Sequence, residues 1–223
     1  MRSSPRPEAI HVVRPFLPAA AVDEVSRLLA GVAVEVRIAR PRRSKLGDHR
    51  PPARPGAVHR ISINENLNPY AFLTTLLHEI AHAATWEKCR HRWRRPRPHG
   101  PEWKREFAGL IGPVLAAGAV PDDVADALAR SMKNPAAATC SDRGLLLALA
   151  RHDPQPAGRV RVEELAEREV FRVDGGHVFR AGRRLRTRRQ CFDVKSGREW
   201  RVHGLLIVER VDGILDRPRP ARR

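Results

Sequence analysis

Cysteine and lysine are what this sequence is short of. Its 223 residues include three cysteines, Cys89, Cys140 and Cys191, an odd number with no C-x-x-C pair. That excludes a disulfide framework and a sulfur-based zinc site, and it fits reduced thiols in a cytoplasm, the expected location. No apolar run approaches the roughly 20 residues needed to cross a bilayer, so no membrane partner is expected. The start, Met1 to Pro7, is basic and proline-rich, unlike a signal peptide. Lysine is scarce in a different sense. Of 42 basic residues only five are lysine (Lys45, Lys88, Lys104, Lys133, Lys195), and the net charge is +17. Guanidinium groups are always charged and fork onto phosphate oxygens, so an arginine excess suits a polyanionic partner. An arginine-, alanine- and proline-rich chain is also what a GC-rich genome produces, so placement of the charge matters more than its total.

Periodicity divides the chain. Residues 1–17 read as an irregular lead-in. Val22, Val25, Leu28 and Leu29 have helical spacing, ended by Gly31, and Val32, Val34, Val36 and Ile38 then alternate as a half-buried strand. Residues 40–56 hold four prolines and six basic residues and read as a long exposed loop; Ala57 to Ile63 reads as a second strand. Asn68-Pro69 opens a helix to about residue 88, whose apolar face is Phe72, Leu73, Leu76, Leu77, Ile80, Ala81 and Ala84. Pro101 opens another, interrupted at Gly112-Pro113, and shorter helices follow from Pro121 and from Ser141 or Asp142. Residues 153–158 are a Pro/Gly linker. Beyond it, short β-like runs separated by Asp174-Gly175-Gly176 and Lys195-Ser196-Gly197 predict a small all-β module over 159–212, with a basic tail over 213–223.

The chemistry-bearing pattern is His78-Glu79-Ile80-Ala81-His82, an H-E-x-x-H inside the core-facing helix. One turn apart, the two imidazoles point the same way and can reach one metal ion, and Glu79 lies about 100° further round. A catalytic zinc site needs three protein ligands and an open position. Metzincin spacing would place the third at position 88, which is lysine. His91 lies in an arginine-rich loop. His99 follows His82 after sixteen residues and Glu102 after nineteen. Spacing leaves His99 and Glu102 open.

The string His78 to His82, followed by His99-Gly100-Pro101-Glu102-Trp103-Lys104 and Phe107, resembles the SprT-like (Spartan-type) zinc metallopeptidase family. Arg42 to Asp48, Ile61-Ser62-Ile63-Asn64 and Leu67-Asn68 extend the likeness across residues 30–112. The resemblance implies an α+β, zincin-like domain over 18–152, with a small sheet beside the H-E-x-x-H helix and a helical extension after it. It implies one zinc ion held by His78, His82 and His99, with Glu79 as general base for peptide hydrolysis. Many relatives carry a four-cysteine zinc ribbon near the C-terminus; here only Cys191 lies in that region, so the β module has no ribbon.

Two basic windows point towards DNA, which Spartan-type enzymes meet through the DNA-bound or DNA-crosslinked proteins they cleave. One holds Arg90, Arg92, Trp93, Arg94, Arg95 and Arg97; the other Arg183, Arg184, Arg186, Arg188 and Arg189. Arginines contact phosphates, and an exposed aromatic face can stack on an unpaired base. Trp86 and Trp103 read as core, Trp93 as exposed. The expected function is a zinc metallopeptidase acting on DNA-associated protein. The alternatives are a zinc peptidase with no DNA role, and a non-catalytic nucleic-acid-binding or regulatory protein with an idle metal site.

Overall fold

The computed structural model describes residues 8–42, 45–91, 93, 96–133, 142–154 and 158–211. The chain is mixed α+β and separates into two units, residues 1–153 and 154–223.

The first unit begins earlier than the sequence suggests. Within the expected lead-in, helix α1 (Glu8–Val13) and a 3-10 turn (Arg14–Phe16) are formed. Ala9, Val13 and Leu17 recur every four residues and are all buried, and the Phe16 ring stacks on Phe72 at 5.0 Å. So short a helix draws its stability from that burial rather than from propensity, which is why composition concealed it. Helix α2 (Val22–Gly31) carries Asp23 and Glu24 in its first turn, where they suit the helix dipole, and buries Val25 and Leu29.

Strand β1 (Val34–Ala39) turns Val34 and Val36 inward and Glu35 and Arg37 outward. The expected loop over 40–56 contains a strand, β2 (Gly47–Arg50), antiparallel to β3 (His59–Asn64) from Gly47↔Ile63 to Arg50↔Arg60. β1 pairs in parallel with the other side of β3, giving the order β1-β3-β2. Glycine and aspartate are weak strand formers, so pairing with β3, not local propensity, makes this edge. Arg42 ties the approach to β2 onto β3: its Nε donates to Asn64 Oδ1 (2.8 Å) and its Nη1 to Ser62 Oγ (3.0 Å).

Helix α3 (Pro69–Cys89) packs between the sheet and the later helices. Asn68 caps it, Oδ1 accepting from the Tyr70 and Ala71 amides at 3.1 and 2.9 Å. The same side chain's Nδ2 donates to the Leu149 carbonyl and to Asp153 Oδ1, fixing the end of this unit to the start of the helix. Every residue from Ala71 to Ala81 is buried, so burial is not confined to one face. Thr74, Thr75 and Thr85 tolerate this because each hydroxyl donates to the carbonyl four residues back.

Helix α4 (Pro101–Ala116) passes through Pro113 instead of breaking there, held by the buried Val114 beyond it. Helices α5 (Asp122–Lys133) and α6 (Arg143–Ala150) complete the unit, α6 capped by Asp142. Among the described residues no helix is long and apolar enough to cross a membrane.

The second unit is an antiparallel sheet of β4 (Arg159–Arg161), β5 (Val170–Arg172), β6 (Val178–Arg184), β7 (Arg188–Asp193), β8 (Glu199–His203) and β9 (Ile207–Arg210), in the order β4-β9-β5-β6-β7-β8. Val162, Leu165, Phe171, Phe179, Ala181, Cys191 and Val208 form its core. β4, an Arg-Val-Arg segment beside the linker, carries no apolar alternation and has no counterpart in the sequence reading. β6 runs past Arg180 to Arg184 through a register shift between Ala181 and Arg184. Gly175 and Gly176, at φ 102° and 85°, make the β5–β6 turn that only glycine adopts freely.

Candidate metal centre

Helix α3 supplies two imidazoles and the next helix's N-terminal turn supplies a third. His78 and His82, four residues apart, face the start of α4. His99 stands just before the α4 N-cap, Gly100, with φ of 57°, in the left-handed region that non-glycine residues seldom occupy. The Gly100 amide donates to the Arg97 carbonyl (2.9 Å), closing the turn, and a Cβ on Gly100 would meet that same oxygen at 2.9 Å. A strained backbone here is the kind of feature that functional sites retain, and it aims His99 at α3.

The three Nε2 atoms converge: 3.2 Å from His82 to His78, 3.1 Å from His82 to His99 and 3.0 Å from His99 to His78. Among the described residues these three make the one cluster of metal-ligand type. Glu102 is not part of it, and exposed His91 instead meets Arg90 Nε at 3.1 Å. Nitrogens about 2.05 Å from a tetrahedral zinc ion sit about 3.3 Å apart, so the spacing fits such an ion with a fourth position open. Burial supplies the required protonation state. It pushes the His78 pKa down to about 3 and that of His82 to about 4, with neighbouring imidazoles adding to the effect, and it lowers His99 as well. Neutral imidazoles present lone pairs to a cation.

Trp103, from the first turn of α4, packs on all three rings, with centroids 4.6 Å from His78, 5.4 Å from His82 and 4.8 Å from His99, and stacks on Phe107 behind. It is core, as its sequence setting suggests. Its Nε1 is the one buried side-chain nitrogen or oxygen without a hydrogen-bond partner among the described residues.

Glu79 is buried next to the triad, against the sheet edge. A Cβ on Gly47 would lie 2.6 Å from Glu79 Oε1 and 2.7 Å from Thr75 Cγ2, so β2 can run beside the carboxylate only with glycine there. Desolvation first, and the Asp48 charge second, raise the Glu79 pKa to about 7, against the opposing pull of Arg42 and Lys45. Further along the same strip the His49 ring stacks at 6.1 Å on His82. Gly47 entered the sequence reading only within a family-like string, and His49 and His59 not at all. No sequence signal marks them, because the strand that aligns Gly47 and His49 with α3 lies in a stretch of loop-like composition, and His59, on the expected strand, gains its role from His49.

The basic candidates divide. In the first window Arg90, Trp93 and Arg97 are exposed, Trp93 at 97%, while Arg92, Arg94 and Arg95 fall outside the described residues. In the second, Arg183, Arg184, Arg186 and Arg188 are exposed but Arg189 is not. Arg189 is 2% exposed, and its guanidinium donates to the carbonyls of Gly182 (2.9 Å), Val162 (3.3 Å) and Leu165. Strand alternation turns it inward, so Arg189 is withdrawn from the phosphate-contact set.

Residues 20–112 match the model of the SprT-like family. This stretch is an SprT-like domain. No curated protein and no solved structure matches the chain. The SprT-like segment runs from the turn before α2 into α4. It therefore contains the sheet, the three histidines, Glu79 and Gly47, while α5, α6 and the second unit lie beyond it. The family is associated with peptidase activity, and the three histidines of this domain could bind a metal ion.

Proposed function

We propose that the chain is a zinc-dependent, zincin-like peptidase whose substrates are proteins associated with DNA. The observation that carries the hydrolytic reading is the convergence of three imidazole nitrogens beside the buried Glu79 carboxylate. His78, His82 and His99 would hold the ion, which when bound supplies Lewis acidity at its open position. Glu79 then works as general base and acid. Its carboxylate would accept a proton from the attacking water and return it to the leaving amine. Gly47 lets β2 pass close beside that carboxylate. A purely structural metal site would have no use for such a base.

The DNA part rests on charge and exposure. Arg90, Arg97 and the fully exposed Trp93 combine cations with an aromatic face, and Arg183, Arg184, Arg186 and Arg188 present a second run. Cys191, fully buried with its thiol pushed up to about 11 by desolvation, offers no metal chemistry to the second unit. Zinc analysis and cleavage of a DNA-binding protein, with and without single- and double-stranded DNA, test the proposal. Glu79→Gln is expected to retain one zinc and lose cleavage; cleavage surviving in that variant removes Glu79 from the mechanism. Cleavage indifferent to DNA at low salt removes the DNA role and leaves a general peptidase.

A further inference from the structure

Beside the metal centre runs a hydrogen-bonded row of side chains that the mechanism above does not use. His49 Nε2 lies 2.8 Å from His59 Nδ1, and His59 Nε2 lies 3.1 Å from Glu87 Oε1. His59 is fully buried, with Trp86 edge-on against its ring at 5.2 Å. Glu87 is 42% exposed at the outer end of the row; His49, half-buried on edge strand β2, is at the inner end, parallel to the His82 ring. On β2, Gly47 and His49 lie on the same face by the two-residue period, so the strand that meets Glu79 also presents His49 to the metal ligands.

The row fixes which nitrogen carries hydrogen. A carboxylate only accepts, so His59 Nε2 must be the N–H that donates to Glu87. A neutral His59 then has a bare Nδ1, which can only accept, and His49 Nε2 must donate to it. A neutral His49 is left with a lone pair on Nδ1 and, among the described residues, no hydrogen-bond partner there. The full burial of His59 favours its neutral ring. The exposed carboxylate thus sets, through a buried ring, the tautomer of an imidazole at the sheet edge. Such second-layer control of histidine orientation is common around metal sites. Here it acts on a ring outside the converging triad.

We propose that His49 Nδ1 is a substrate-binding acceptor that takes a hydrogen bond from a backbone N–H of a peptide lying along β2, with His59 and Glu87 as positioning residues. The inference rests on the peptidase reading for the identity of its ligand, a peptide main chain. Its recognition element is independent of substrate side chains, as an enzyme with varied protein substrates requires. An unpaired peptide N–H in the bound state would cost binding, so the acceptor contributes to affinity rather than to chemistry.

Asparagine and glutamine separate this role from a packing role, because the amide oxygen of asparagine reaches the place of the accepting Nδ1 and the amide nitrogen of glutamine the place of the donating Nε2. In a Glu79→Gln background, with zinc stoichiometry measured for each protein, binding of a fluorescein-labelled unstructured peptide without acidic residues is followed by anisotropy. His49→Ala and His49→Gln are expected to raise Kd by about tenfold, the worth of one good hydrogen bond, and His49→Asn by much less. Any result in which asparagine binds no better than glutamine overturns the proposal, since a side chain needed only to contact His59 ranks them the other way. Zinc-loaded wild type is assayed in parallel on unfolded casein. Absence of cleavage while the peptide still ranks asparagine over glutamine removes the peptidase reading and leaves the acceptor standing.

Discussion

Each unit of this protein buries basic side chains, and the two do so in opposite ways. In the first, His78, His82 and His99 bring three ring nitrogens within 3.2 Å of one another with no acidic group among the cluster, a geometry that repels protons and invites a metal cation. In the second, Arg189 keeps its charge in the interior by giving its hydrogens to three backbone carbonyls. A histidine can shed its charge on burial; an arginine cannot, and must be solvated by protein dipoles instead. The first arrangement could hold a cation, and the second is already satisfied by the protein's own carbonyls.

If that contrast is right, the largest effect of a single substitution on folding comes from Arg189. Arg189→Met fills similar volume but orphans the carbonyls of Gly182, Val162 and Leu165, at about 1 kcal/mol or more each, so roughly 3–4 kcal/mol of stability should be lost from the second unit. Arg189→Lys should recover little, because one ammonium cannot reach three diverging carbonyls. Chemical denaturation followed at Trp200 reports this unit; an unchanged midpoint would mean the carbonyls find other partners. The matching experiment in the first unit has the opposite character. His99→Ala should leave the metal-free protein folded, the backbone at φ 57° straining alanine much as it does histidine, and lower zinc affinity by at least about a hundredfold. A chelator should accordingly depress the thermal midpoint of wild type and have little effect on His99→Ala.

The same contrast explains what could be read in advance. The H-E-x-x-H helix was legible because its cap, its apolar residues and its two histidines all lie within one continuous run, Asn68 to Cys89. The third ligand was narrowed to His99 or Glu102 by spacing and chosen by resemblance; its left-handed turn left no trace beyond the glycine after it. Gly47, His49 and His59 were hidden for a physical reason. Gly47 and His49 lie on a four-residue edge strand whose existence depends on pairing with β3, and nothing local in a Gly-Asp-His-Arg segment demands a strand; His59 lies on β3, and its role shows only once β2 brings His49 beside it. Arg189 failed for the complementary reason. Six arginines in ten residues look like a solvated face, yet β7 alternates, and Cys191 two positions on already faces the core. Density of charge says little about direction when the period is two.

A smaller effect bears on the catalytic side of the contrast. Gly47→Ala would place a methyl group 2.6 Å from Glu79 Oε1 and 2.7 Å from Thr75 Cγ2, and the carboxylate, at the flexible end of its side chain, is the group that must move aside. Misplacing a general base by a fraction of an ångström is expected to cut kcat about tenfold or somewhat more while zinc content stays at wild-type level. An unaffected kcat would mean that Glu79 has room that the close approach of β2 denies.

The smallest effect separates Arg189 from its exposed neighbours. Arg188 sits one residue away on β7 with its side chain in solvent. If this face meets DNA, Arg188→Ala should weaken binding only a few-fold and reduce the slope of log affinity against log salt by about one, without altering stability. Arg189→Met should leave that slope unchanged under conditions where the unit remains folded, because a guanidinium committed to three carbonyls releases no counterion from DNA. Equal slopes for Arg188→Ala and wild type would place the nucleic-acid contact elsewhere, with the loop of Arg90, Trp93 and Arg97 as the remaining surface to substitute.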